Sequence, residues 1–222
     1  MEASNLIIIA SQPRSGSTLL QALLSNNKEV ATISEPWFLL PFLSYLKPEV
    51  SNGVYNSSWA LSAINEFKNK SKSFDSNLSN FLINQYSNAI PNNEIYILDK
   101  TPRYYEILSE IQECFPEAKF IILKRNPLAV LSSILNTWTL KKGAKLRMYS
   151  RDLLQAPHLL LKFEKENKNN KNVKSLKYED LAKNPDEILK DLYCWLKIPF
   201  DSNVLDYSKM KNSKGEWVIQ LV

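Results

Sequence analysis

Three observations predict a single α/β domain in which helices cover both faces of a parallel sheet. Short β-rich runs alternate with longer segments of helical spacing, as strand-helix-strand units require. Two of the runs, residues 6–10 (Leu-Ile-Ile-Ile-Ala) and 119–123 (Lys-Phe-Ile-Ile-Leu), are almost continuously apolar, the pattern of strands buried on both sides. A chain of 222 residues holds one such domain with a sizeable core and is short for two.

Taken in order, the strand at 6–10 runs into Gln12-Pro13-Arg14-Ser15-Gly16-Ser17-Thr18, and the spacing of 18–24 predicts the helix that this loop opens. A weaker strand is expected over 31–33, followed by helices over 37–46, 59–67 and 74–89. Next come a strand over 94–98, a helix over 104–114 and the strand at 119–123. A helix over 128–138 follows, with Pro127 at its first turn, where the missing N–H costs nothing. A long helix over 145–166, a strand over 173–178 and a helix over 185–196 complete the set. The chain has no internal repeat and no Pro/Gly-rich linker, so one domain over 1–222 is expected, with a helical insertion at about 47–90.

Composition narrows the function classes. A hydrophobic fraction of 44% with 23% charged residues is ordinary for a folded protein, so disorder is not expected. The net charge of +5 suits an anionic ligand. Basic residues are not interleaved with aromatics on any stripe, so nucleic acid is not the expected partner. Cys114 and Cys194 sit in apolar helical patterns and are expected as buried free thiols. With one histidine, His158, and no paired Cys or His spacing, no metal site is expected. The first apolar run is only a strand long and lacks a basic leader, and no segment approaches the roughly 20 apolar residues of a membrane span. A cytoplasmic protein is expected.

The chemistry-bearing residues cluster where strands end. Ser15, Gly16, Ser17 and Thr18 have small side chains, so their backbone N–H groups can converge on a phosphate or sulfate at the positive end of the following helix. The loop differs from that of the nucleotide triphosphatases, because Ser17 stands where their lysine follows glycine, and the nearest cation is Arg14. The strand at 119–123 ends in Lys124-Arg125, and Ser133 follows just over two helical turns later. An arginine and a hydroxyl so placed can hold one phosphate from two sides. In open parallel sheets the ligand lies beyond the carboxyl ends of the strands, which puts the Gln12 loop, Asp99-Lys100 and Lys124-Arg125 on one edge.

With these stretches in place, the chain resembles the sulfotransferases that use 3′-phosphoadenosine 5′-phosphosulfate (PAPS). Their 5′-phosphosulfate loop is similar to Pro13-Arg14-Ser15-Gly16-Ser17-Thr18, and their 3′-phosphate motif to Arg125-Asn126-Pro127 through Ser133. Their Tyr-Glu-Asp-Leu segment, whose tyrosine lies beside the adenine, resembles Tyr178-Glu179-Asp180-Leu181. The strand end that supplies a lysine to the transferring group resembles Leu98-Asp99-Lys100-Thr101-Pro102. Order and spacing agree over roughly residues 5–200, in the style of the bacterial and tyrosylprotein branches.

The resemblance implies a P-loop-like three-layer sandwich, PAPS as sulfuryl donor, 3′,5′-adenosine diphosphate (PAP) as product, no metal, and an acceptor hydroxyl on a sugar, lipid, peptide or small alcohol. It implies that Ser15 to Thr18 grip the 5′-phosphate with Arg14 on the phosphosulfate, that Lys100 meets the leaving oxygen, that Arg125 and Ser133 read the 3′-phosphate, and that Tyr178 flanks the base. Two carboxylates compete as general base. Glu35 follows the strand at 31–33 and lies 21 residues after Arg14, while Asp99 directly precedes Lys100. Pro102 stands where cytosolic small-molecule enzymes carry a histidine. His158, in the long helix, is expected in a surface or packing role. Trp37, Phe38, Arg103, Tyr104 and Tyr105 are either acceptor-pocket residues or packing at helix starts. Relatives often continue into a basic Gly-rich segment that closes over the nucleotide. Residues 211–217 resemble it and the chain stops five residues later, so a short or truncated closing segment is expected. A PAPS- or PAP-binding module without turnover is therefore the alternative reading, and a P-loop kinase a third, disfavoured by Ser17 and by the 3′-phosphate pair.

Overall fold

The computed structural model describes residues 2–51, 54–90, 95–140 and 145–206. Five strands, β1 (Leu6–Ser11), β2 (Val30–Ser34), β3 (Tyr96–Lys100), β4 (Lys119–Lys124) and β5 (Val173–Lys177), form one sheet in the order β2-β3-β1-β4-β5. Every pair is parallel, so all five carboxyl ends share one edge. The register aligns Ser34 with Lys100 and Lys124 with Lys177 there.

Alternation along the strands explains the apolar runs. Leu6, Ile8, Ala10, Phe120 and Ile122 face one core with Leu39, Leu82, Tyr86, Ile111, Leu160 and Phe163. Ile7, Ile9, Ile121 and Leu123 face the other with Leu20, Leu23, Leu189, Leu192 and Leu196. A central strand buried on both faces needs apolar residues at every position, and all six of β1 are buried. The result is one α/β domain with a five-stranded parallel sheet between two helical layers.

The helices are α1 (Ser17–Ser25), α2 (Leu39–Leu43), α3 (Ser57–Lys70), α4 (Phe74–Ala89), α5 (Leu108–Cys114), α6 (Pro127–Ile134), α7 (Ser150–Glu166), α8 (Tyr178–Lys183) and α9 (Pro185–Leu196). Several bounds differ from expectation for local reasons. The helix expected over 37–46 starts at Leu39, because Glu35 and Trp37 take left-handed backbone, and its last turn, Ser44–Leu46, is a 3-10 turn. The helix expected over 104–114 divides at Ile107, whose φ of −132° lies outside the helical range and separates a 3-10 turn, Tyr104–Glu106, from α5. α6 passes into a π-turn, Leu135–Leu140. The strand expected to reach Tyr178 stops at Lys177, and α8, not foreseen, begins there. Glu94, expected in the third strand, and the segment 211–217 lie outside the described residues.

Cys114 is half-buried, and burial pushes its thiol up to about 11. Cys194 corrects the expectation of a second buried thiol: it is exposed, because Leu192, Tyr193 and Leu196 take the inner face of α9. No helix among the described residues is long and apolar enough to cross a membrane.

Candidate active site

The loop after β1 is held from below. Gln12 is buried and its Nε2 donates to the carbonyl of Asp152 in α7 at 2.8 Å, while the Ser15 N–H donates to the Gln12 carbonyl at 3.2 Å. Arg14 (φ 68°) and Gly16 (φ 89°) both lie in the left-handed region and wrap the chain into the start of α1. No side chain caps α1, so its first-turn N–H groups stay available to an anion. The Ser15 hydroxyl is buried without a partner among the described residues, and a phosphate oxygen would satisfy it. Gly16 is required twice, by its φ and because a Cβ there would overlap the Tyr178 ring. Gly16→Ala is expected to lower stability by about 1–2 kcal/mol from the backbone term alone, read as a lower urea midpoint.

Three of the predicted phosphate ligands meet through Arg14. Its Nε donates to Ser133 Oγ at 3.1 Å and its Nη2 to Thr137 Oγ1 at 3.2 Å, and its guanidinium lies 5.7 Å from the Trp138 ring centre. Arg125 Nη1 donates to the Arg14 carbonyl at 3.0 Å, and its guanidinium stacks 4.3 Å above the Tyr178 ring. Arg125 and Ser133 are thus joined by way of Arg14, and Tyr178 lies between Arg125 and Gly16. The turn after Arg125 is set by Asn126, whose side chain caps α6 and whose N–H donates to Glu179 at 2.8 Å. Lys124, the neighbouring cation, is neutralised by Glu164 at 2.6 Å. Arg14 and Arg125 form no ion pair with a carboxylate among the described residues. Burial and then the charge of Arg125 lower the pKa of Arg14. An anion between two such groups relieves their repulsion, and the Arg125 Nε, buried and without a partner among the described residues, offers it a further donor.

The end of β3 supplies the second half of the site. Lys100 is almost fully buried, and its Nζ contacts Glu35 Oε1 at 2.6 Å, while the Glu35 side chain keeps 40% of its surface exposed. Glu35 directly follows β2 at φ 42° and Trp37 stands at φ 55°, conformations that each cost about 1 kcal/mol or more outside glycine. Alternation turns the neighbouring Asp99 to the opposite face of β3, wholly buried, where it accepts from Tyr86 (2.5 Å), Tyr104 (2.7 Å) and Thr101 (3.1 Å).

Burial pushes the Asp99 carboxyl up to about 6 from its ordinary 3.8, against the opposing pull of these hydroxyls and the charge of Lys100. The folded state therefore holds this proton more tightly than the unfolded chain. Its contribution to stability is full below about pH 4 and is lost as pH rises to about 6. Denaturant titrations from pH 4 to 7 are expected to show this falling contribution in the wild type and not in Asp99→Asn.

Arg103 makes a two-point ion pair with Asp152 (Nε to Oδ1 3.2 Å, Nη2 to Oδ2 3.0 Å) and lies 5.6 Å from the Trp37 ring centre. Tyr104 and Tyr105 are buried, each with its hydroxyl on a buried carboxylate, Tyr104 donating to Asp99 and Tyr105 to Asp152 at 2.6 Å. Trp37 stays 40% exposed beside Glu35. His158 is exposed on α7. The sequence did not single out the side chains of Gln12, Thr137, Glu179, Thr101 or Tyr86. Only Thr101 and Glu179 carried a local signal, by adjacency to Lys100 and Tyr178.

The model of the Sulfotransferase family matches residues 6–202. The chain is 26% identical over 217 residues to Protein-tyrosine sulfotransferase 1 of Danio rerio, covering 95% of this chain and 58% of that protein. Among solved structures it is similar to the sulfotransferase domain from the curacin biosynthetic pathway, at a TM-score of 0.62 and 24% identity over 90% of this chain and 76% of that one. It is also similar to a mouse sulfotransferase complexed with PAP, at a TM-score of 0.54 and 18% identity over 97% and 70%. These neighbours share the P-loop-like fold. The chain spans between 27% and 58% of the length of the curated relatives it matches.

Proposed function

The chain belongs to the sulfotransferase family, and on that footing we propose that it moves a sulfuryl group from PAPS to an acceptor hydroxyl by in-line displacement, with PAP as the product. The observation that carries this reading is the pairing, on one sheet edge, of a helix start and two arginines that are uncapped and unneutralised among the described residues with a buried lysine held by a carboxylate. The residues fit the donor. The unpartnered Ser15 hydroxyl and the α1 N–H groups suit a 5′-phosphate, and Arg125 with Ser133 suits a 3′-phosphate. PAP in the mouse neighbour supports the same choice.

Bound PAPS supplies an electrophilic sulfuryl group on a phosphate leaving group. The chain's own residues position and neutralise, as in phosphoryl transfer. Ser15 to Thr18 and Arg14 hold the 5′ end, and Arg125, Ser133 and Tyr178 hold the 3′-phosphate and base. Lys100 carries the charge that meets the leaving oxygen. Glu35 accepts the acceptor proton. It is preferred over Asp99 because it is half-exposed at the site, whereas Asp99 is buried under three hydroxyl donors. The acceptor is a hydroxyl compound, and the similarity to a protein-tyrosine sulfotransferase makes a phenol the first to test.

Calorimetric titration with PAP against ATP tests the nucleotide: PAP is expected to bind and ATP to bind far more weakly. Arg125→Ala is expected to weaken PAP by about 10- to 100-fold, the loss of one or two charge-assisted bonds. Unchanged affinity ends the assignment of Arg125. Screening phenols, sugars and alcohols with labelled PAPS tests transfer. PAP binding without transfer to any acceptor would favour a binding module lacking turnover.

A further inference from the structure

The carboxylate of Asp99 leads back to the Glu35 turn through two hydroxyls. Thr101 Oγ1, which donates to Asp99 Oδ1, itself accepts the N–H of Trp37 at 3.3 Å. Tyr104 Oη, which donates to Asp99 Oδ2, accepts the N–H of Leu39 at 3.1 Å. A hydroxyl that donates to a buried carboxylate is polarised into a better acceptor, so each relay strengthens its second bond. Pro36 has no N–H, so Trp37 supplies the first amide after Glu35 that can anchor the chain. Both left-handed residues, Glu35 and Trp37, lie in this stretch, and such backbone persists only where its surroundings fix it.

We propose that Asp99 is a positioning residue, which through the Thr101 and Tyr104 hydroxyls ties down the backbone after Glu35 and so keeps the Glu35 carboxylate on the Lys100 ammonium. This rests on Glu35 as the base of the proposed transfer. The two adjacent residues of β3 then act on Glu35 from opposite sides, Lys100 holding its side chain from one face of the strand and Asp99 holding its main chain from the other. The groups facing Asp99 are Tyr86 from α4 and Thr101 and Tyr104 from the turn after β3, and the charge of Lys100 acts on it from the other face of the strand. Three hydroxyls donate to the Asp99 oxygens, an arrangement that serves an anchor and competes with proton abstraction by the same oxygens.

The test uses the near-isosteric Thr101→Val and Tyr104→Phe, each of which deletes one relay hydroxyl, with Thr101→Ser as the variant that restores it. The first readout is amide hydrogen exchange in the free protein, which needs no turnover. Thr101→Val is expected to speed exchange at Trp37, and Tyr104→Phe at Leu39, by tenfold or more, with Thr101→Ser reverting the first. The second is transfer from PAPS to phenol as the probe acceptor: both deletions are expected to lower kcat by at least tenfold with PAP affinity held within about twofold. Neither is expected to lower kcat further in a Glu35→Gln background, whereas a general loss of structure would. Unchanged exchange at both amides overturns the proposal, as does loss of turnover in Asp99→Asn with Thr101→Val and Tyr104→Phe fully active, which would make Asp99 the base. A wild type that neither binds PAP nor transfers sulfate sinks the functional reading instead, and the exchange result still decides the relay.

Discussion

Lys100→Met is expected to lower sulfuryl transfer by about 10³-fold while PAP affinity changes little. The Lys100 ammonium is almost fully buried, so its charge acts through a low dielectric, where one fixed cation counts for far more than in water. Methionine keeps the length and apolar body of the lysine stem and removes only the charge. Glu35, the partner left behind, retains enough exposure to be solvated, so the loss should be read in turnover and not in folding. Single-turnover rates with labelled PAPS, beside PAP calorimetry and urea unfolding, separate these quantities. A fall of less than tenfold in transfer, with the fold intact, would mean that Lys100 does not meet the leaving group.

Glu35→Gln comes next in size, with an expected fall in kcat of about 10² to 10⁴, the usual worth of a positioned general base. Glutamine is nearly isosteric and still presents an oxygen to Lys100 Nζ, so the 2.6 Å contact can persist as a hydrogen bond. What disappears is the capacity to take a proton. PAP affinity is therefore expected to stay constant, which sets this variant apart from Arg125→Ala, where binding changes first. Asp99→Asn assayed in parallel separates base from anchor, because an anchor weakens the geometry of Glu35 without removing it. Full activity in Glu35→Gln would remove Glu35 from the mechanism.

Much of the fold could be read directly. The strands at 6–10 and 119–123 were evident because a strand buried on both faces must be apolar throughout, and the loop after the first was evident because convergence of N–H groups demands small side chains. The helices at 74–89 and 185–196 have the expected bounds. The breaks elsewhere were less visible. The start of α2 was displaced by two left-handed residues, Glu35 and Trp37, that are not glycine and so carry no signature. Cys194 was misplaced because the apolar stripe of α9 passes beside it rather than through it.

The site divides along the same line. Arg14, Lys100 and Arg125 could be nominated because each sits at the end of a local pattern, strand then turn then helix, whose chemistry is written in a few adjacent residues. Which groups they would touch could not be read. Arg14 meets Ser133 and Thr137 more than a hundred residues away, and Lys100 meets Glu35 only because β2 pairs with β3 at the sheet margin.

Local composition and periodicity decided the layers, the anion loop and the candidates, since those depend on interactions within a few residues. Strand order decided the partners. Side-by-side placement of β2 with β3 and of β1 with β4 brings distant groups within hydrogen-bond reach, and alternation across β3 sends Lys100 to the site and Asp99 to the interior. Two adjacent charged residues thus acquire different surroundings from the side of the sheet on which each lies.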